Sequence, residues 1–139
     1  MISQQRYLDL VDEIVIRKSR DKESLADGSE VSSLRAVLGA LQWKATQSGP
    51  QIAAQLGMLQ SEITTATVDT LHRANKLLRM AKMLSSQGIL LHNFAGYHPR
   101  ELVFAGWTDG AVGNRPNGRS TGGYIIGATT LEFAEGKLT

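Results

Sequence analysis

The stretch FAGWTDGAVGNRPNGRSTGGYIIG, residues 104–127, decides how this chain is read. Within it, Gly113 to Ser120 spell G-N-R-P-N-G-R-S. That is one residue from the phosphate-loop pattern G-x-x-x-x-G-K-[ST], with Arg119 in the lysine position. Just upstream, a lone acid, Asp109, follows an apolar run. A phosphate loop needs a strand leading in and a helix leading out, so that loop N–H groups and the helix N-terminus surround the phosphates. Here Ser120 is followed by TGGYIIGATT, and adjacent glycines with a β-branched pair favour a strand over the first turns of a helix. Arginine's planar fork also needs more room than a lysine point charge. The same letters read better as a hairpin: an apolar strand up to Asp109, a turn-forming GNRPNGRS, and a second apolar strand. An Asp before Gly also has a purely local use, as the start of a turn.

Working upstream, the hydrophobic period changes. "ILLHNF" (89–94) and "ELVFAGW" (101–107) are short apolar runs bounded by Gly and Pro, and with 122–130 they predict strands. Before Gly88 the period is helical. Val68, Leu71, Ala74, Leu77, Leu78, Ala81 and Leu84 predict a helix over 67–86, with Gly88 as its C′ residue. Ile52, Ala53, Leu56 and Leu59 predict another over 50–62, started by Pro50. Val31, Leu34, Val37, Leu38, Leu41 and Ala45 predict one over 30–47, with Ser29 as N-cap and "SGP" (48–50) as its stop. Tyr7, Leu8, Leu10, Val11, Ile14 and Val15 predict a first helix over 4–16, after the possible end of a strand at Ile2. "RKSRDKESLADGS" (17–29) reads as a charged linker. The expected fold is α+β: a bundle of three to four helices, then antiparallel strands. The chain opens in the middle of an element, as a segment cut from something longer would.

Composition narrows the chemistry. With 42% hydrophobic residues the chain can bury a core. It has no cysteine, which excludes disulfides, zinc–thiolate sites and thiol nucleophiles. Three histidines, at 72, 92 and 98, are too scattered for a metal cluster. A formal charge of +2 says little about partners, but local clusters say more. Arg17, Lys18, Arg20 and Lys22 form one, and Arg73, Lys76, Arg79 and Lys82 form another at spacings of three. No apolar run approaches the ~18 residues of a membrane span, and the N-terminus does not resemble a secretory signal. The expectation is an intracellular chain, cytoplasmic or nuclear, with no membrane partner.

The quoted stretch resembles the opening hairpin of a ribonuclease H domain, and more narrowly that of copia-type retrotransposon Pol polyproteins. There an Asp in an "SDAD"-like string is followed, after a short loop, by "RSTSGY". Asp109 matches the first Asp, while Arg119, Ser120, Thr121, Gly123 and Tyr124 match the second string, with Gly122 in place of Ser. Three upstream segments agree in order and spacing. Residues 33–59 resemble the region that closes the reverse transcriptase, "TLHRANKLLRMAK" (70–82) resembles the helix "HWKAAKRVLRYLK", and "ISQQRYLDLVDEI" (2–14) resembles the segment that enters the thumb. The chain departs from the pattern at Gly49-Pro50-Gln51, where the family has Arg-Pro-Asp, and at Ala111, where the family has a second Asp.

The resemblance implies a division into 1–28 (end of the palm, entry helix and linker), 29–88 (thumb and connection) and 89–139 (first strands of a truncated ribonuclease H-like domain). It implies Asp109 as a catalytic residue and metal ligand, one of several carboxylates that hold two Mg²⁺ ions for phosphodiester hydrolysis. The family's next metal-binding Glu stands on a later helix, so Glu132 and Glu135 are expected in a polar turn or strand edge. The chain alone is expected to have neither nuclease nor polymerase activity. Arg73, Lys76, Arg79 and Lys82, with Arg115 and Arg119, are the candidates for contact with the backbone of an RNA–DNA hybrid or DNA duplex. The same row also reads as a solvated helix face. His72 is expected on the helix surface, and Trp43 and Trp107 as packing residues that would stack on bases only if exposed. The remainder of a Pol polyprotein is the other expected partner. The competing reading is a non-catalytic remnant acting as a small structural or interaction protein.

Overall fold

The periodic positions between residues 30 and 86 form helices, and the glycine-rich stretch after them forms strands. The computed structural model describes residues 5–17, 19–88, 93–115 and 118–136. It divides into two compact units, Met1–Leu91 and His92–Thr139. The first contains helices α1 (Gln5–Asp9), α2 (Gly28–Gln47), α3 (Ala53–Ser61) and α4 (Val68–Met83), with 3-10 turns at Pro50–Ile52 and Ile63–Thr65. In the second, a 3-10 turn at Pro99–Glu101 leads to strand β1 (Leu102–Ala111), its antiparallel partner β2 (Thr121–Thr130) and a short helix α5 (Leu131–Ala134). The described residues are therefore α+β. Of the strand expected at 89–94, residues 89–92 lie outside the described residues, and Asn93 and Phe94 are not in a strand. The possible strand end at Ile2 also lies outside them.

A helix begins where a side chain satisfies its first free N–H groups. For α2 that residue is Asp27, not the expected Ser29. Asp27 Oδ1 accepts from the N–H groups of Ser29 and Glu30, each at 2.9 Å, and Glu30 Oε2 accepts from the Asp27 N–H at 2.9 Å. This is a capping box. Ser29 instead donates its hydroxyl to Asp27 at 2.6 Å. The Ser29 hydroxyl, and then the Glu30 N–H, hold the Asp27 carboxyl below its ordinary value. Buried Glu30 is also paired with Arg20 at 2.6 Å, whose other terminal nitrogen donates to the Leu25 carbonyl. Aspartate, whose carboxylate can accept two N–H bonds at once, wins the cap position over the serine beside it.

The expected helix over 4–16 stops at Asp9. Beyond it, Ile14 is buried and Ile16 half-buried while Glu13, Val15 and Arg17 are exposed, which is the period of two of an extended chain. A β-branched run, Ile14-Val15-Ile16, suits that conformation. The deciding partner is distant in sequence. Asn75, buried in α4, accepts from the Ile14 N–H at 2.8 Å and donates to the Ile14 carbonyl at 2.9 Å. A helix here would withdraw both backbone groups from that amide.

The supposed linker is also structured. Leu25 forms a bridge with Thr67, and the Ala26 N–H reaches the Ala66 carbonyl at 2.8 Å. The carbonyls of Ser24 and Lys22 accept from Val68 and Asp69, each at 2.9 Å. These are the first N–H groups of α4, so residues 22–26 act as part of its cap beside Thr67. Residues 10–17 and 19–26 form a strap along the helices, and Leu8 and Ile14 belong to the same core as the later helices.

That core is built from Leu34, Val37, Leu38 and Leu41 of α2, Leu56 and Leu59 of α3, and Leu71, Ala74, Leu77, Leu78 and Ala81 of α4. Each fully buried leucine contributes roughly 1.5–3 kcal/mol relative to an exposed one. Helix α4 ends at Met83, earlier than expected, because Leu84 and Ser85 close it by turns onto Met80 and Lys82, so Gly88 is not its C′ residue. One core position is occupied by a cation. Lys44, in the last turn of α2, is only 1% exposed. Its Nζ bonds to the Ser48 hydroxyl at 3.0 Å, and burial pushes its ammonium below the ordinary value. Gly49 lies against its stem, where a Cβ would stand 2.8 Å from the lysine Cε.

In the second unit, His98 and Glu101 cap the 3-10 turn, and the strands pair from Leu102↔Thr130 to Ala111↔Thr121. Gly113 and Gly118 take positive φ, +64° and +71°, in the connection between the strands. The register puts Phe104, Tyr124 and Ile126 on one face and Trp107, Ile125 and Asp109 on the other. Both faces thus carry apolar side chains, a pattern suited to a strand pair covered on both sides. Ser120 runs into β2, not into a helix, as the hairpin reading of Gly113–Ser120 requires.

Two outcomes follow for the helical unit. Asn75→Leu leaves a buried N–H and C=O of Ile14 without a partner and should cost about 2–4 kcal/mol in chemical denaturation. It should also release hydrogen-exchange protection at Ile14, and an unchanged rate there would refute the clamp. Lys44 binds its proton less tightly in the folded chain than in the unfolded one. Stability should therefore rise with pH from the depressed value up to the ordinary 10.5, and Lys44→Met should abolish that rise. Gly49→Ala should cost about 1–3 kcal/mol. That cost should vanish in a Lys44→Ala background, and persistence there would show that the lysine stem is not the obstacle.

Candidate nucleic-acid interface

The exposed side of α4 carries the predicted basic row. Leu71, Ala74, Leu78 and Ala81 turn inward, which leaves His72, Arg73, Lys76 and Arg79 exposed and Lys82 half-exposed. The row is not uniformly available. The Arg73 guanidinium is hydrogen-bonded to Glu62 through both terminal nitrogens, and its Nε meets Asp69 at 2.9 Å. The hydrogen bond to Glu62 raises the affinity of Arg73 for its proton. Arg79 meets Glu13 of the strap at 2.5 Å. Three carboxylates thus answer two of the four cations. Lys76 and Lys82 pair with no carboxylate among the described residues. Engaged guanidiniums give a phosphate less than their formal charge, because the carboxylate already satisfies their donors.

Two further basic residues lie in the hairpin unit. Arg115 is half-buried in the turn, with its Nε donating to the Thr121 hydroxyl at 3.0 Å. Its N–H reaches the Arg119 carbonyl at 3.1 Å, and its carbonyl accepts from Gly118 at 2.9 Å. Gly113 donates to the Ser120 hydroxyl at 3.3 Å. The arginines therefore belong to an internally bonded turn, with Arg119 exposed beside β2.

Asp109 does not start the turn. It sits inside β1, paired with Gly123, two residues before the strand ends. Its side chain is exposed, and Oδ1 accepts from the adjacent Gly110 N–H at 2.9 Å. The residue opposite it has no side chain. Glu132 lies in α5 rather than in a turn or strand edge, whereas Glu135, directly after α5, is exposed in a turn, one of the two expected placements. Among the described residues no group of three or more His, Asp or Glu side chains is placed to hold a metal ion. A single exposed carboxylate does not fit a two-Mg²⁺ site, because Mg²⁺ keeps its waters unless several oxygens converge. No hydrolytic step is assigned to these residues.

Some features escape the sequence reading. Lys44 falls on the apolar face of α2, three residues after Leu41 and seven after Val37, and that spacing is the signal that marks it. Trp43 and Trp107, expected as packing residues, are 52% and 51% exposed. Trp107 shares its face of the hairpin with Asp109. No protein-family model, curated protein or solved structure matches the chain.

Proposed function

We propose that this chain is a fragment of a copia-like retroelement Pol polyprotein, from the reverse transcriptase thumb and connection into the start of a ribonuclease H-like domain. Its action is weak, sequence-independent contact with the backbone of an RNA–DNA hybrid or DNA duplex. The observation that carries this reading is the row of cations on the exposed side of α4, with Lys76 and Lys82 free of carboxylate partners among the described residues. Ammonium groups on a rigid helix can meet phosphates without reading bases. The antiparallel hairpin with an acid in its first strand and an arginine-bearing turn is consistent with the same origin. The exposed indole of Trp107 offers a surface on which an unpaired base can stack. The remainder of the polyprotein is the natural partner of a hairpin with two apolar faces. Mg²⁺ belongs to a complete ribonuclease H site, to which Asp109 would contribute one ligand.

Binding of a labelled RNA–DNA hybrid, followed by fluorescence anisotropy, should weaken as salt rises. Each phosphate neutralised adds about 0.9 to the slope of log K against log salt. Lys76→Gln with Lys82→Gln should flatten that slope by about 2, and Arg73→Gln by clearly less than one such step. A slope unchanged in the lysine pair would refute the interface. The purified chain with Mg²⁺ should leave the hybrid uncut. Cleavage that is lost in Asp109→Asn would overturn the view that the acid lacks partners.

A further inference from the structure

A separate feature of the helical unit lies between α3 and α4. A groove of about 570 Å³ runs there, within the roughly 300–1,000 Å³ typical of ligand sites. Three of the four methionines of the chain, Met58, Met80 and Met83, converge on it, over the buried side chains of Leu59 and Leu77. Met83 is 76% exposed and Met58 37%. Thioethers are flexible and polarisable, and surfaces built from them adapt to apolar side chains of differing shape. A phosphodiester backbone offers such a floor nothing to bury.

The rim fixes the chemistry of the occupant. Arg73, Lys76 and Arg79 line it from α4, three residues apart. Arg73 and Arg79 already hold carboxylates, and Lys76 between them holds none among the described residues. We propose that this groove docks an amphipathic helix of a protein partner, with apolar anchors at i, i+3 or i+4 and i+7 entering the methionine floor and Asp or Glu flanking them toward Lys76. Helix-in-groove recognition needs an apolar trough, and a charged margin selects helices with complementary flanks. A basic helix would meet like charges along the margin. A second copy presenting its own α4 would bring its cation row against this one, which disfavours self-association. The site shares Lys76 with the proposed duplex interface but differs from it in its apolar floor, whose anchors are not cations.

The test is a displayed library of amphipathic helices with varied apolar anchors and acidic, neutral or basic flanks, selected against the whole chain. Methyl-labelled methionine NMR then follows a synthetic peptide of the selected sequence. Acidic helices should be enriched, and they should shift the methyl signals of Met58, Met80 and Met83. Met58→Lys with Met83→Lys, both at exposed positions, should weaken the peptide by at least about tenfold despite the added positive charge. Lys76→Glu should abolish the preference for acidic flanks. Four results would overturn the proposal. These are enrichment of basic or neutral helices, no enrichment above the double-lysine variant, tighter peptide binding by that variant, or dimerisation of the chain that the same two substitutions remove. Because the double-lysine variant keeps every cation of α4, retained hybrid binding alongside lost peptide binding separates this site from the duplex interface.

Discussion

The carboxamide of Asn75 is the contact on which the helical unit turns. It sits in the middle of α4 and meets both the N–H and the C=O of Ile14, sixty-one residues away in sequence. A buried amide costs several kcal/mol if it finds no partners, and a strand-like backbone supplies a matching pair. That match draws residues 10–17 out of helical conformation and lays them along α4. Glu13 then falls beside Arg79, and further along the strap Lys22 and Ser24 reach the first N–H groups of α4. One side chain therefore governs the packing of a strap, the cap of a helix and the charge of its exposed face.

The consequence for function is electrostatic. A sequence counts four cations on α4, whereas the fold leaves two of them without a carboxylate among the described residues. Arginine is well suited to the engaged positions, because its fork holds two acceptors at once, as Arg73 does with Glu62 and Asp69. Lysine is a flexible point charge, and Lys76 and Lys82 hold no carboxylate among the described residues. The same helix therefore has two kinds of cation. One kind ties the unit together, and the other is without a carboxylate among the described residues.

Much of this was legible in the sequence, for physical reasons that differ by element. Helices α2 and α4 announced themselves because their apolar positions recur on one face over four or more turns. The hairpin did so because β-branched and aromatic residues flank a glycine-rich turn. The segment 10–16 misled because Leu10, Val11, Ile14 and Val15 satisfy a helical spacing, while the run Ile14-Val15-Ile16 equally satisfies an extended one. Only a partner distant in the chain decides between them. The capping serine misled because aspartate two residues earlier competes for the same N–H groups. The candidate interface was half legible: spacing located the cations, but their engagement depends on Glu13 and Glu62, which come from other elements. Lys44 was hidden by its own charge, since a lysine on an apolar face is ordinarily assumed to reach solvent.

The hairpin stands apart from the helical unit in what holds it. Its strands bond to each other, yet Phe104, Tyr124, Ile125 and Ile126 remain exposed. A strand pair that leaves apolar side chains exposed on both faces, among the described residues, has more to gain from a partner than from its own packing. The central claim, that α4 presents its lysines to a duplex backbone, is tested most directly by NMR amide mapping of the whole chain titrated with an RNA–DNA hybrid. The account predicts that the largest perturbations fall on α4 around Lys76 and Lys82 and fade as salt is raised. Perturbations that persist in high salt, or that leave α4 untouched, would contradict it.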